Sequence, residues 1–264
     1  MTGPASEGTT VRVELVAPGG FPLVEPGDRL VPALVACLDR EGLRLRDGDI
    51  VVLAQKIVSK SEGRYVDLRS VTPGTAATRY AEICRKDPRL IELVLRESSA
   101  VMRCKPGVVI VRHRLGFVMA NAGIDQSNIA AGPEGERALL LPADPDASAE
   151  RLRAEIATAT GREVGVAIID SFGRAWRVGT TGTCIGSAGF ATVDDLRGST
   201  DMFGRTLVSS IVGTGDEVAA AASLLMGQSR ERRPVAVLRG MGHLVGRPDR
   251  AAALIRPADE DLFP

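Results

Sequence analysis

The sequence predicts an α/β or α+β fold, built from short buried strands that alternate with amphipathic helices. Three observations support this. Apolar runs of strand length recur between stretches whose apolar residues fall at helical spacing. The 264 residues are 44% hydrophobic and 25% charged, an ordinary composition for a chain that buries a core. No clean linker and no internal repeat divides the sequence, so residues 11–264 are expected to form one domain behind a disordered end of residues 1–10.

Taken in order, a first strand is expected over Val11–Val16, followed by the turn Ala17-Pro18-Gly19-Gly20. A helix over Arg29–Arg40 would place Leu30, Leu34 and Leu38 on one face. Asp49–Ala54 reads as a buried strand running into Gln55-Lys56-Ile57-Val58-Ser59-Lys60. Helices follow near Gly74–Lys86 and Arg89–Glu97, separated by Asp87-Pro88, a stop and restart. Strands are expected at Val108–Arg112, Phe117–Ala120 and Leu139–Pro142, then a helix over Ser148–Ala157. Val164–Ile169 is a strong buried strand ending on Asp170. The glycine-rich stretch Gly173–Gly204 reads as irregular. A strand at Thr206–Val212, a helix at Glu217–Met226 and a strand at Val235–Leu238 complete the series.

Charge narrows the partners. Lys and Arg total 33 and so do Asp and Glu, giving zero net charge. That argues against a nucleic-acid partner, which calls for a basic excess, and the scarcity of aromatics argues against base stacking. No apolar run approaches the ~20 residues that span a bilayer, so no membrane partner is expected. Cys37, Cys84, Cys104 and Cys184 form no C-x-x-C pair, and four reduced cysteines in a cytoplasmic protein are expected.

The common catalytic signatures are absent: no Walker P-loop, no complete dinucleotide fingerprint at Gly213-Thr214-Gly215, no H-E-x-x-H and no G-x-S-x-G. Four segments remain. Gly20-Phe21-Pro22-Leu23 is a turn whose backbone could approach a ligand. Lys56 and Lys60 follow a buried strand, where open sheets place ligands. Asp125 and Asn128 follow a glycine turn, offering oxygen ligands suited to a hard cation. Asp170, at the end of a buried strand, precedes Ser171, Arg174 and Arg177; a buried acid there calls for a partner or a metal. A further basic loop, Ser229-Arg230-Glu231-Arg232-Arg233, follows the helix cap Gly227. Each segment also has a plain structural reading as connector, exposed strand end, Asx-turn or ion pair. Together they are the equipment for metal-assisted phosphoryl transfer.

In order and spacing these motifs resemble the F420-0:γ-glutamyl ligase family. The likeness runs from about Val11 to Gly240, through Gly20–Leu23, Ile57–Arg64, Asn121–Asn128, Leu140–Ala149 and Asp170–Arg177, then Asp195–Gly198 and Leu225–Gly227. The resemblance implies an α+β fold and a homodimer. It also implies a GTP-dependent ligase that joins L-glutamate to the deazaflavin precursor F420-0 through an acyl phosphate. Mg²⁺ or Mn²⁺ would be required, with K⁺ assisting. Carried over by position, Asp125, Asp170 and Ser171 are expected metal ligands, and Lys60 acts with the two acids in catalysis. Gly20, Phe21, Pro22, Leu23, Gln55, Lys56, Lys60, Asn128, Met226, Gly227 and Gln228 are expected nucleotide contacts. Gln228 stands where the family often has a metal-binding Glu, so it is also an expected, weaker ligand. Arg174 and Arg177 are expected to hold substrate carboxylates. The arginine loop departs from the family's glycine-rich one. That departure keeps two alternatives open: a paralogous ligase with another carboxylate acceptor, or a catalytically inactive nucleotide- or deazaflavin-binding protein.

Overall fold

Alternation along one strand decides the architecture. Ile50 and Val52 turn to one face of a central sheet and Val51 and Leu53 to the other, and each face carries its own apolar cluster. The computed structural model describes residues 10–126, 136–257 and 259–261. Its first half runs β1 (Glu14–Val16), α1 (Leu30–Arg40), β2 (Ile50–Ala54), α2 (Gln55–Ser61), β3 (Tyr65–Asp67), α3 (Thr75–Cys84) and α4 (Pro88–Arg96). The hairpin strands β4 (Ser98–Lys105), β5 (Val108–His113) and β6 (Val118–Ala120) follow, then β7 (Arg137–Leu139) and α5 (Pro145–Thr160). The last part is β8 (Gly165–Arg174), β9 (Arg177–Ala188), β10 (Asp194–Asp195), β11 (Ile211–Val212), α6 (Thr214–Met226) and β12 (Val235–Arg239). The fold is α+β, as the family resemblance implies.

The central sheet has the order β1-β12-β2-β8-β9. Only β2 and β8 are parallel; the other pairs are antiparallel. Leu30, Leu34 and Leu38 of α1, with Leu152 and Ile156 of α5, cover one face against Val166 and Ile168. Val218, Ala219, Ala222 and Met226 of α6 cover the other face against Ala167 and Ile169. A second unit packs α3 and α4 on β4-β5-β6 around Ile91, Val109 and Val111. Glu97 ties that unit to the rest. It accepts from Arg114 Nε at 3.1 Å and lies 3.7 Å from Arg64, while Arg64 Nε donates to the carbonyl of Leu141.

Several elements differ from the sequence reading. Gln55–Ser61 is a helix, and the polar strand β4 precedes Val108–His113. The brief strand expected at Leu139–Pro142 instead covers Arg137–Leu139, and only Ile211–Val212 of the expected Thr206–Val212 is a strand. Most of the first part of Gly173–Gly204 is β9, twelve residues of a central sheet. Its glycines mark close packing: a Cβ at Gly182 would fall on the Ala219 carbonyl of α6, and one at Gly186 would sit 2.5 Å from the carbonyl of Pro145 in α5. The expectation of four reduced cysteines is also corrected. Residues 84 and 104, 20 apart in sequence, meet where α3 ends against β4 and form a disulfide, while Cys37 and Cys184 are free and buried.

Substituting Gly182→Ala forces α6 away from β9 and is expected to cost about 2 kcal/mol in urea unfolding. Gly173→Ala, which meets nothing within 4 Å, serves as the near-neutral comparison. Equal stabilities for the two variants would show that β9 and α6 are not this close.

Candidate active site

Because β2 and β8 are parallel and in register from Ile50↔Gly165 to Ala54↔Ile169, they release the chain side by side at the same edge. Gln55 and Lys56 leave one strand end, while Asp170 and Ser171 continue the other. Three further segments close around them: Phe21–Val24 before α1, Met119–Asp125 from β6 into the turn after it, and Met226–Pro234 from the last residue of α6 onward. Together they line one cavity of about 770 Å³, a size suited to a cofactor- or nucleotide-sized ligand.

The charged groups in this cavity hold one another. Asp125 Oδ2 lies 2.5 Å from Lys56 Nζ. The backbone of Asp125 is fixed by two hydrogen bonds with Leu139, its N–H donating at 3.0 Å and its carbonyl accepting at 2.9 Å. Just before it, Asn121, Ala122 and Gly123 all adopt left-handed backbone, with φ of 52°, 54° and 66°. Two of them pay a steric penalty to turn the chain into the cavity. At Gly123 the left-handed backbone favours glycine, and a Cβ there would also crowd Leu141 Cγ at 2.9 Å.

Asp170 is the most perturbed acid of the site. Burial pushes its carboxyl from the ordinary 3.8 up to about 6; Asp125 adds to the rise, and the Ser171 N–H, Lys56 and the Gln55 side chain oppose it. Gln55 is itself buried and held by Ser59, whose hydroxyl donates to its Oε1 at 2.9 Å. Burial lowers the pKa of Lys60; Lys56 acts in the same direction, while Glu25 and Asp125 support its charge. Ser171 Oγ donates to Gln228 Oε1 at 2.6 Å, tying β8 to the loop after α6. In that loop Gly227 has φ 75°, and a Cβ there would meet the Glu231 carboxyl group at 2.5 Å. Glu231 accepts from the N–H of Ser229 at 2.7 Å, and Arg232 Nη2 reaches the carbonyl of Phe21 at 3.5 Å.

Phe21, Pro22, Leu23, Gln55, Lys56, Lys60, Asp125, Asp170, Ser171, Met226, Gly227 and Gln228 thus line one cavity. Gly20 is beside it, its carbonyl accepting from Arg40 Nη2 at 3.1 Å. Asn128 lies outside the described residues. Arg174 and Arg177 are not in the lining. They face each other across the exposed tip of the β8–β9 hairpin, either side of the turn at Trp176. Conversely, Arg230, Arg232 and Arg233 are in the cavity wall. The sequence marks them only as a basic loop behind a helix cap, and nothing in their spacing points inward. Phe172 and Thr180 also line the cavity, without any polar signature in the sequence. Phe172 packs edge-on against Phe117 with ring centroids 5.9 Å apart.

The oxygen set suits a hard divalent cation. Asp125 adds to the cost of ionising Asp170, and a cation between the two carboxylates would relieve it. Among the described residues no group of three or more His, Cys, Asp or Glu side chains comes together. The remaining ligands would therefore come from neutral oxygens and a substrate, the pattern typical of Mg²⁺.

Without metal, an ionised Asp170 opposes folding. Its folded pKa of about 6 exceeds the ordinary 3.8, so the penalty is absent below pH ~4, grows up to ~6 and is complete above it. Asp170→Asn is therefore expected to raise the metal-free Tm at pH 7.5 by about 2–4 °C, with the gain shrinking by pH 5. A lower Tm for the variant at pH 7.5 would contradict this account of the site.

The family model for F420-0:gamma-glutamyl ligase matches residues 20–240, from the turn beside the cavity to the end of the last strand. The chain is 42% identical over 254 residues to the coenzyme F420:L-glutamate ligase of Methanothermobacter thermautotrophicus, covering 95% of this chain and 98% of that one. It is 39% identical to the protein of the same name from Methanopyrus kandleri, over 91% and 93% of the two chains. The Archaeoglobus fulgidus protein of that name is 38% identical over 88% and 89%. With the match spanning every segment that lines the cavity, the chain belongs to the F420-0:gamma-glutamyl ligase family.

Proposed function

We propose that this protein joins L-glutamate to F420-0 by an amide bond, at the expense of GTP and with γ-linkage of added glutamates. The observation that carries the reading is the convergence of five separated segments on one cavity that holds two coupled carboxylates and two lysines. In the proposed reaction an acceptor carboxylate oxygen attacks the γ-phosphorus of GTP. The bond to the bridging oxygen breaks and GDP leaves. The amine of glutamate, as the neutral base, attacks the carbonyl carbon of the acyl phosphate; phosphate leaves and the amine proton is released.

Lys60 and Lys56 carry positive charge to the phosphate oxygens, and burial sharpens its effect by excluding water. Gln55 and the Ser171 N–H hold Asp170 in place. Phe21, Pro22 and Leu23 form the wall against which the nucleotide lies, with Met226 and Gly227 across the loop. Asp125, Asp170 and Ser171 would hold Mg²⁺ or Mn²⁺, which supplies charge neutralisation on the phosphates; K⁺ would assist. Arg174 and Arg177, at an exposed hairpin tip, are left without a role in binding within their own cavity.

A homodimer is part of the proposal. Trp176 is 95% exposed and Val178 fully so on the β8–β9 hairpin, and Met202, Phe203 and Val208 are exposed beyond β10. Large apolar groups at two projecting segments are what a second copy would cover. No helix among the described residues is long and apolar enough to cross a membrane.

The decisive assay incubates the protein with GTP, Mn²⁺, L-glutamate and F420-0 and looks for glutamylated product by mass spectrometry. Product is expected from the wild type. Asp170→Asn is expected to lower turnover by at least 10³-fold while remaining folded, since an amide cannot replace the charge. GDP release only with another carboxylate acceptor would transfer the reading to a paralogous ligase, and nucleotide binding without turnover to a binding protein. Light scattering should give twice the chain mass, and Trp176→Asp should shift it toward one chain; a wild-type monomer would remove the dimer.

A further inference from the structure

One carboxylate outside the cavity gathers four separate segments of the chain. Glu97 closes α4, and its Oε2 lies 3.1 Å from Arg114 Nε, 3.6 Å from His113 Nε2 and 3.7 Å from Arg64 Nη2. Both arginines reach on to backbone. Arg64 Nε donates to the carbonyl of Leu141 at 2.9 Å, and Arg114 Nη2 to that of Ala143 at 3.1 Å. His113 stands behind Glu97 with its side chain wholly buried. The N–H of Leu115 donates to its Nδ1 at 3.0 Å, so the proton of the neutral ring belongs on Nε2, facing Glu97. Nε2 finds no hydrogen-bond partner among the described residues, which leaves Glu97 as the group that compensates its burial. His113, then Arg114 and Arg64, hold the Glu97 carboxyl below the ordinary 4.5, while burial works against them.

This junction joins the same two parts of the molecule that meet in the cavity. Lys56 of α2 pairs with Asp125 of the second unit, and Arg64, just beyond α2, pairs with Glu97 of that unit. A single ion pair leaves two units free to turn about it. The second pair fixes the angle, and the bond from Arg114 to Ala143 adds a third point. We propose that Glu97 and His113 are positioning residues of the cavity. Neither lines it, yet together they lock the second unit against the segments before and after it, and so fix where Asp125 stands relative to Lys56. The lock itself is read from these contacts. It rests on the proposed ligase reading only for its effect on turnover, where a displacement of about 1 Å can cost on the order of 10²-fold.

Amide hydrogen exchange on the full chain, without metal or substrate, tests the lock directly. The Leu140 N–H donates to the carbonyl of Arg64 at 3.0 Å across this boundary, while the β5–β6 ladder lies within the second unit. Glu97→Gln keeps the shape and removes the charge, and the unit keeps its own cluster around Ile91, Val109 and Val111. The variant is expected to speed exchange at Leu140 about tenfold while leaving the β5–β6 amides within roughly twofold of wild type. His113→Phe, which fills the space without a donor, is expected to show the same pattern. His113→Gln, which can return a donor near the place of Nε2, is expected to restore slow exchange. Unchanged exchange at Leu140 in Glu97→Gln would overturn the proposal, and so would an equal rise at the β5–β6 amides, which would mark loss of stability alone. A His113→Gln no better than His113→Phe would remove His113 from the lock. In the ligase assay, Glu97→Gln is expected to lower kcat about tenfold with the KM for L-glutamate within roughly twofold. If wild-type protein forms no glutamylated product, the functional reading falls and the exchange pattern still decides the lock.

Discussion

A carboxylate midway along β8 has lost most of its water, and the fold returns only part of what was lost. Gln55, the Ser171 N–H and Lys56 each favour the charged form of Asp170, yet burial and Asp125 outweigh them, and the carboxyl remains near 6. Much of the surrounding structure follows from this unsettled charge. Gln55 must be fixed, so it opens a helix at once and is anchored by Ser59 one turn later. Lys56 cannot serve Asp170 alone, because its ammonium is held by Asp125. The site is a set of groups that a cation and an anion arriving together would satisfy better, in keeping with the proposed metal-assisted phosphoryl transfer.

The second unit exists, in this light, to deliver Asp125. Its helices and hairpin form their own cluster, and among the described residues the charge it brings to the cavity comes through the strained turn after β6. Strain in that turn is tolerable only if both ends are held. Pairing with Leu139 holds the far end, and the ladder to β5 holds the near one. Glu97 then keeps the whole unit from swinging, since Arg64 and Arg114 also bind carbonyls of the segment leading into α5. A small displacement of Asp125 would cost much in an electrostatic site, and these attachments oppose it.

What could be read from the sequence, and what could not, divides along physical lines. Asp170 was legible because an acid directly behind Val-Ala-Ile-Ile has no cheap explanation. Lys56 and Lys60 were legible because they end a buried strand, although their helix was not. β9 was hidden for the opposite reason. Glycine normally signals irregularity, yet at Gly182 and Gly186 it signals helices packed so tightly on a sheet that no Cβ fits. The cysteine pair was invisible because it depends on how α3 meets β4 and not on any spacing. Arg174 and Arg177 show the converse error of proximity: they are close to Asp170 in sequence, but a strand carries them about 3.3 Å per residue away from it.

The same geometry explains how a chain of zero net charge would hold the polyanion proposed for it. Attraction of bulk polyanions acts through the field of the whole surface, and here that field averages out. Inside a cleft only groups within roughly a Debye length matter, about 8 Å at physiological salt. Concentrating arginines in one wall, with Asp170 on β8 and Asp125 beyond the turn after β6, gives a steep local field with no reach. A compact ligand with its cation can satisfy both ends at once. A long nucleic acid, which needs a continuous basic surface, can satisfy neither. Selectivity of this kind comes from where the charges are placed, so removing one arginine from the wall changes binding while leaving the overall balance almost untouched.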